Sequence, residues 1–170
     1  MNRRHVATLA FSVSVALGLC HALCYSTVLP DQVAAHFDTH GQPLGSMARS
    51  TMIDLQLTVI IALAALFAVA GGAVVKSPRS WFGMPDRDWW MSGDREESTR
   101  FDLSARVLWL GALSQLLAFS LFHRTVRVNM GRSASLEGWY ADVAIFLGLA
   151  AIWLLMLRLR YRRRPASAVS

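Results

Sequence analysis

The sequence predicts an all-α integral membrane protein, a bundle of four transmembrane helices with both termini in the cytoplasm. Of its 170 residues, 54% are hydrophobic, and the mean hydropathy of +0.38 is too high for an ordinary soluble domain. Four apolar runs are each long enough to cross a hydrocarbon core about 30 Å thick. The basic residues gather at the ends of these runs, which is the distribution expected of a membrane protein.

The charge distribution also predicts the orientation. The net charge is +6 and the isoelectric point is near 10.3. With both termini inside, thirteen of the seventeen Lys and Arg residues lie on the cytoplasmic side, in agreement with the positive-inside rule. No nucleic-acid-reading motif accompanies this charge, so nucleic acid is not an expected partner.

The first apolar run covers residues 6–28 and follows a short basic leader. A helix of this length spans about 34 Å at about 1.5 Å per residue. A signal peptide is the alternative, but the run exceeds the usual apolar region of about 7–15 residues and no small-x-small cleavage site follows. We therefore interpret it as a retained first span.

A polar outer loop, residues 29–51, is predicted next, because proline and glycine punctuate it. His36, Asp38 and His40 occupy alternate positions, and an extended backbone would point all three side chains the same way. Such side chains suit a divalent transition metal, which makes these three the candidate ligands. Three residues in one polar loop are insufficient to predict a metal, and no cofactor is predicted.

The remaining spans are predicted at residues 52–75, 103–122 and 139–157. They are separated by a cytoplasmic loop, 76–102, and a second outer loop, 123–138. All belong to one membrane domain, residues 1–164, with a flexible tail at 165–170. Thr51 and Asp54 fit a capping box at the start of the second span, although an acid so near the bilayer is equally a functional candidate.

Several ionisable side chains fall at comparable depth near the outer ends of the spans. His21, Asp54, His123 and Asp142 could form an intramembrane cluster that senses protons or ions. The alternative is that these side chains simply meet water at the interface. No nucleophile elbow or phosphate-binding glycine loop is present, so no enzymatic activity is predicted.

Two motifs carry a resemblance to a known family. The first, LP-x5-HF-x3-G-x-P, lies in the outer loop at Leu29, Pro30, His36, Phe37, Gly41 and Pro43, and Asp38 lies within it. The second, MPDRDWW-x4-REEST, lies in the cytoplasmic loop and contains Pro85, Trp89, Trp90, Arg95, Glu96 and Thr99. Together they resemble the bacterial membrane domain of unknown function found in the Sdp-type immunity and signalling proteins. The chain lacks the additional spans of those proteins, and His40 matches no family position.

The resemblance implies a non-enzymatic, multi-pass protein of the bacterial inner membrane. Its expected function is ligand sensing, signalling or immunity, with the His-containing outer loop as the recognition site. Expected partners are membrane lipid and either a peptide toxin or a soluble regulator, and the oligomeric state is not predicted. The alternative is an accessory protein of a metal- or proton-linked transporter, using His21, His36, Asp38, His40 and Asp54.

Overall fold

A computed structural model describes residues 3–162, and within them four helices are long and apolar enough to cross a membrane. These are α1 (Arg3–Tyr25), α2 (Arg49–Lys76), α4 (Asp94–Asn129) and α5 (Trp139–Tyr161). A 3₁₀ turn, Arg79–Trp81, and a one-turn helix α3, Arg87–Trp90, lie between α2 and α4. The predicted fold of four long apolar helices is confirmed in this range. The predicted tail, 165–170, lies outside the described residues.

The outer loop was predicted as a loop rather than a helix, and most of it forms a β-hairpin, which was not predicted. Strands β1 (Gln32–Phe37) and β2 (Pro43–Ala48) pair antiparallel as a β-hairpin, and α2 begins directly afterwards. The prolines and glycines of this segment are compatible with a hairpin, because Gly41 lies in the turn and Pro43 begins β2. We call the end of the bundle that carries the hairpin the hairpin end. The end where α1 begins and α5 finishes is the terminal end.

Helix α4 is longer at both ends than the predicted span, 103–122, and it takes up much of both neighbouring loops. Its first turn contains Asp94, Glu96 and Glu97, whose negative charges favour a helix N-terminus. The capping-box pattern of Asp94 and Glu97 predicts that this helix begins before its apolar part, and α4 does begin at Asp94. The extension past Phe122 was not predicted, because hydropathy identifies only the apolar part of a helix. The second outer loop is thereby reduced to residues 130–138.

The core lies where α4 packs against α1 and α2. One buried apolar cluster joins α1 to α4, and a second joins the hairpin to α2 and α4. Polar contacts also connect α4 to α2 along its length. Ser104 donates to the carbonyl of Gly71 at 2.8 Å, and Gln115 Nε2 donates to the carbonyl of Ile60 at 2.9 Å. Interhelical hydrogen bonds of this kind hold helices together in lipid, where the hydrophobic effect does not.

Helix α5 stands at the side of this bundle. No residue of its most apolar 18-residue stretch is buried. Polar clusters hold it to α4 at both ends: Asp142 accepts from Arg124 and Ser120 at the hairpin end, while Tyr161 and Arg160 donate to Asp102 at the terminal end. Its attachment therefore depends on side-chain pairs rather than on a buried helix face.

Glycine at position 111 permits the close approach of α4 to its neighbours, which gives a first testable prediction. A Cβ atom there would lie 2.7 Å from Cβ of Phe67 and 2.8 Å from the Phe11 ring. We expect Gly111→Ala to lower the free energy of unfolding in detergent micelles by about 1–3 kcal/mol, because the helices must separate. Gly148→Ala is the control, since a Cβ there meets nothing within 4 Å. Equal stability of the two variants would contradict this packing.

Candidate functional site

The base of the hairpin is closed by Arg49. Its backbone N–H donates to the carbonyl of Asp31 at 2.9 Å, and its Nη1 donates to the carbonyl of Leu29 at 2.7 Å. Nη2 lies 3.1 Å from the Asp31 carboxylate. Leu29 itself is buried, as is Val33 in β1. The hairpin is therefore fixed where it leaves the helices.

Asn129, the last residue of α4, holds the middle of β1. Its side-chain Oδ1 accepts from the backbone N–H of Ala34 at 2.6 Å, and its Nδ2 donates to the carbonyl of Ala34 at 2.9 Å. One amide group thus satisfies both backbone groups of Ala34, as a neighbouring strand would. A third bond, from Nδ2 to the carbonyl of Thr125, orients the amide. This contact joins the hairpin to α4.

The turn between the strands gives a structural reason for Asp38 and Gly41 in the outer-loop motif. The Asp38 carboxylate accepts from the backbone N–H groups of His40 and Gln42, at 2.8 Å and 2.7 Å. Such Asx contacts stabilise tight turns. Gly41 has φ +79°, a conformation that side-chain-bearing residues rarely adopt, and its carbonyl accepts from Leu136 N–H at 2.9 Å. Asp38 and Gly41 therefore shape the turn, and the 130–138 loop packs over it.

The other predicted recognition residues lie around this turn. Pro30 connects α1 to the hairpin, while Phe37 pairs with Pro43 at the strand ends. His36 is exposed and lies beside Gly45 on the opposite strand. His40, in the turn, is also exposed, with 85% of its side chain accessible.

The candidate metal ligands do not form a metal site. Among residues 3–162, no group of three His, Cys, Asp or Glu side chains is placed to hold a metal ion. The expected alternation of His36, Asp38 and His40 requires extended backbone, but the strand ends at Phe37 and the chain turns through Asp38. The Asp38 carboxylate is instead occupied by the turn.

The predicted intramembrane cluster is rearranged. His21 is buried, and its Nδ1 accepts from Gln56 Nε2 at 2.9 Å. Its Nε2 lies 3.3 Å from His123 Nδ1. Asp142 belongs to the separate cluster with Arg124, and the Asp54 side chain is exposed on α2. The structure therefore brings the two predicted histidines together with Gln56 and separates both acids from them.

The capping role considered for Asp54 is also corrected. Helix α2 begins at Arg49, and its N-cap is Ala48, which has no side-chain oxygen to offer. The capping-box pattern at Thr51 and Asp54 therefore falls inside the helix instead of at its start.

At the terminal end, the second motif builds a folded segment against α4. Trp90 is buried, with its ring 4.9 Å from Tyr161 and 4.7 Å from Trp89 between centroids. Its carbonyl accepts from the Thr99 hydroxyl at 3.2 Å. Arg95 lies 4.5 Å from the Trp89 ring and donates to the Trp89 carbonyl at 3.0 Å. These contacts give both tryptophans a packing role in the segment.

Glu96 connects this segment to the end of α2. It accepts from Arg79, and from Nε and Nη2 of Arg100 at 3.0 Å and 2.9 Å. The hydrogen bond that Arg79 donates to the Glu96 carboxylate raises the pKa of the Arg79 guanidinium above its ordinary value. Arg100 Nη1 also donates to the carbonyl of Ser77 at 2.7 Å, satisfying the C-terminus of α2. Pro85 lines a cleft beside α5, next to Trp81 and Leu157.

Asp102 accepts from or pairs with four neighbouring groups of the described chain at the terminal end, and the sequence did not predict this role. Its Oδ2 accepts from Arg106 at 2.9 Å, from Arg160 at 3.2 Å and from the Tyr161 hydroxyl at 2.7 Å. Arg3 lies 3.7 Å from Oδ1. The i, i+4 spacing of Asp102 and Arg106 could have predicted their ion pair from the sequence. The contacts of Asp102 with α1 and α5 could not be predicted, because they depend on how the helices pack.

No family model, curated protein or solved structure matches the chain. The described residues form four long apolar helices, with a hairpin held at one end and a charged aromatic segment held at the other.

Proposed function

We propose that the protein is a non-enzymatic sensor of the bacterial inner membrane, similar in role to the Sdp-type immunity and signalling proteins. In this proposal both termini lie in the cytoplasm and the hairpin faces the outside. A ligand such as a peptide toxin binds the hairpin around His36. The bound state is then transmitted to a soluble regulator at the terminal end, around Trp81 and Trp90.

The observation that carries this proposal is the continuity of α4. The helix extends unbroken from Asp94 to Asn129, about 54 Å at about 1.5 Å per residue. Its last residue binds the β1 backbone, and its first turns bind the Trp90 segment through Thr99. A single rigid element therefore contacts both candidate interaction surfaces. Coupling between distant sites needs such an element, with two arrangements that ligands can bias.

The exposure of the hairpin supports recognition at this surface. Leu44 in β2 is 72% exposed, and His36 beside it on β1 is also exposed. The rest of the hairpin is fixed by Arg49, Asn129 and Leu136. A preformed surface loses little conformational freedom when it binds, which favours affinity.

Photocrosslinking in intact cells tests this proposal. A benzoylphenylalanine at Leu44 is expected to capture a ligand outside the membrane, and the capture is expected to be lost in a His36→Ala background. Gln42→Ala is the matched control, because Gln42 is also exposed in the hairpin but lies in the turn, away from His36. Capture is expected to persist in this variant. Capture that is absent, or unaffected by His36→Ala, would overturn the recognition role.

A second candidate function is favoured by the His21–His123 contact. The ring nitrogens are 3.3 Å apart, close to the separation of two imidazoles about 2.0–2.1 Å from one tetrahedral zinc ion. Zinc on His21 Nε2 requires the ring hydrogen on Nδ1, so in the metal-bound form the Gln56 amide would turn its oxygen, which has no partner among the described residues, toward Nδ1. This supports an accessory protein of a metal- or proton-linked transporter, with His21 and His123 in place of the hairpin residues. The measurement that separates the candidates is zinc binding to the purified chain by calorimetry. Binding lost in His21→Phe and kept in His5→Phe would favour transport, and no zinc binding would exclude the metal-linked form.

A further inference from the structure

Two adjoining clefts open at the terminal end between α1, α4 and α5. The first has a volume of about 320 Å³, and its walls include Arg3, Asp102, Arg160 and Tyr161. The second, of about 350 Å³, lies further along the helices and shares Arg3 and Asp102 with the first. The pair therefore forms one continuous groove with a polar part and an apolar part.

The polar part carries an excess of positive charge. Three guanidinium groups, from Arg3, Arg106 and Arg160, surround the single carboxylate of Asp102. Each guanidinium has five N–H donors, and Asp102 is contacted by one nitrogen of each. The side chains of Arg3 and Arg160 are 77% and 43% exposed. The groove therefore retains donors and net positive charge suited to an anion.

The apolar part continues from this charge toward the middle of the bundle. Its walls include Trp109, Trp153 and Met156. The indole Nε1 of Trp153 is buried and has no hydrogen-bond partner within the described residues. Met156 is 58% exposed, because α5 is held to α4 mainly through its ends. Protein side chains do not fill the space beside α5.

We propose that this groove binds one anionic phospholipid, with its phosphodiester among Arg3, Arg106 and Arg160 and an acyl chain against Trp109, Trp153 and Met156. Basic pockets between helices at a membrane surface recognise lipid headgroups through charge-assisted hydrogen bonds. A soluble phosphate shares the headgroup chemistry, but it would leave the apolar part empty. The lipid also acts as packing material that stabilises α5 beside α4. This proposal is independent of ligand sensing at the hairpin.

Native mass spectrometry of the full-length protein in mild detergent tests the lipid site. Dioleoyl phosphatidylglycerol is expected to bind about thirtyfold more tightly than dioleoyl phosphatidylcholine, the effect of two basic residues at a membrane surface. The double variant Arg3→Gln/Arg160→Gln is expected to remove this preference. The matched control is Lys76→Gln/Arg87→Gln, which removes the same charge from the same end but outside both clefts.

Loss of Arg160 could weaken lipid binding simply by loosening α5, so a second variant blocks the groove without removing charge. Met156→Trp changes no charge and fills the apolar part, and it is expected to weaken phosphatidylglycerol binding at least about tenfold. Equal binding of the two lipids to the unaltered protein would overturn the proposal, as would an equal loss in the control. Displacement of phosphatidylglycerol by millimolar inorganic phosphate would also overturn it, because the site would then recognise a soluble anion.

Discussion

Replacing Asp102 with asparagine is expected to lower the free energy of unfolding by about 3 kcal/mol, the largest effect of any single substitution considered. The Asp102 side chain is 13% exposed, and it neutralises Arg106, which is 19% exposed. Removing one partner of a buried pair typically costs about 3–5 kcal/mol, because the remaining charge is left without compensation. The exposed partners Arg3 and Arg160 add little, since water screens them.

The stability measurement is unfolding in detergent micelles, with Asp88→Asn as the control. Asp88 carries the same charge at the same end of the bundle, but its side chain is 95% exposed and it pairs with the adjacent Arg87. The control is expected to change stability by less than about 1 kcal/mol. A loss of equal size in both variants would show that the partly buried Asp102–Arg106 pair does not stabilise the bundle.

Replacing Asn129 with alanine is expected to release the hairpin from α4, the second large effect. The substitution leaves the N–H and carbonyl of Ala34 without their partners on a partly buried strand. Unsatisfied backbone groups of this kind cost about 1–3 kcal/mol. Hydrogen exchange across residues 32–48 should therefore become faster by about tenfold or more, while the four helices stay protected.

The control for Asn129 is Gln42→Ala, which also removes a side-chain amide but from an exposed position in the hairpin turn. Its exchange rates are expected to match those of the unaltered protein. Unchanged exchange in the Asn129→Ala protein would mean that Arg49 and Leu136 suffice to hold the hairpin.

The four helices were predictable because a continuous apolar run has few alternatives to a membrane-spanning helix. The capping-box pattern of Asp94 and Glu97 predicts the start of α4, whereas the extension to Asn129 was not predicted. Residues 94–102 are further stabilised by tertiary contacts. Glu96 pairs with Arg79 of the 3₁₀ turn, Arg100 donates to the C-terminus of α2, and Asp102 contacts α1 and α5. These contacts depend on tertiary placement, which a hydropathy pattern does not contain.

The hairpin shows a different limit. Its turn residues were identified, but QVAAHF and PLGSMA contain little of the β-branched alternation that marks a strand. The strands form because Asn129 and Leu136, nearly a hundred residues later in the chain, satisfy Ala34 and Gly41. The same dependence on tertiary contacts explains why His21 was identified as polar and intramembrane while its partner Gln56 was not.

Helix α4 joins the hairpin to the Trp90 segment, and hydrogen exchange at a distance shows whether it also couples them. Hydrogen exchange of residues 77–93 is compared between the unaltered protein and Asn129→Ala, whose substitution lies at the opposite end of α4. A coupling of about 0.5–2 kcal/mol predicts that exchange in this segment changes by about two- to thirtyfold. A change confined to residues 32–48, with 77–93 unaffected, would show that α4 does not couple the two ends and that they are independent sites.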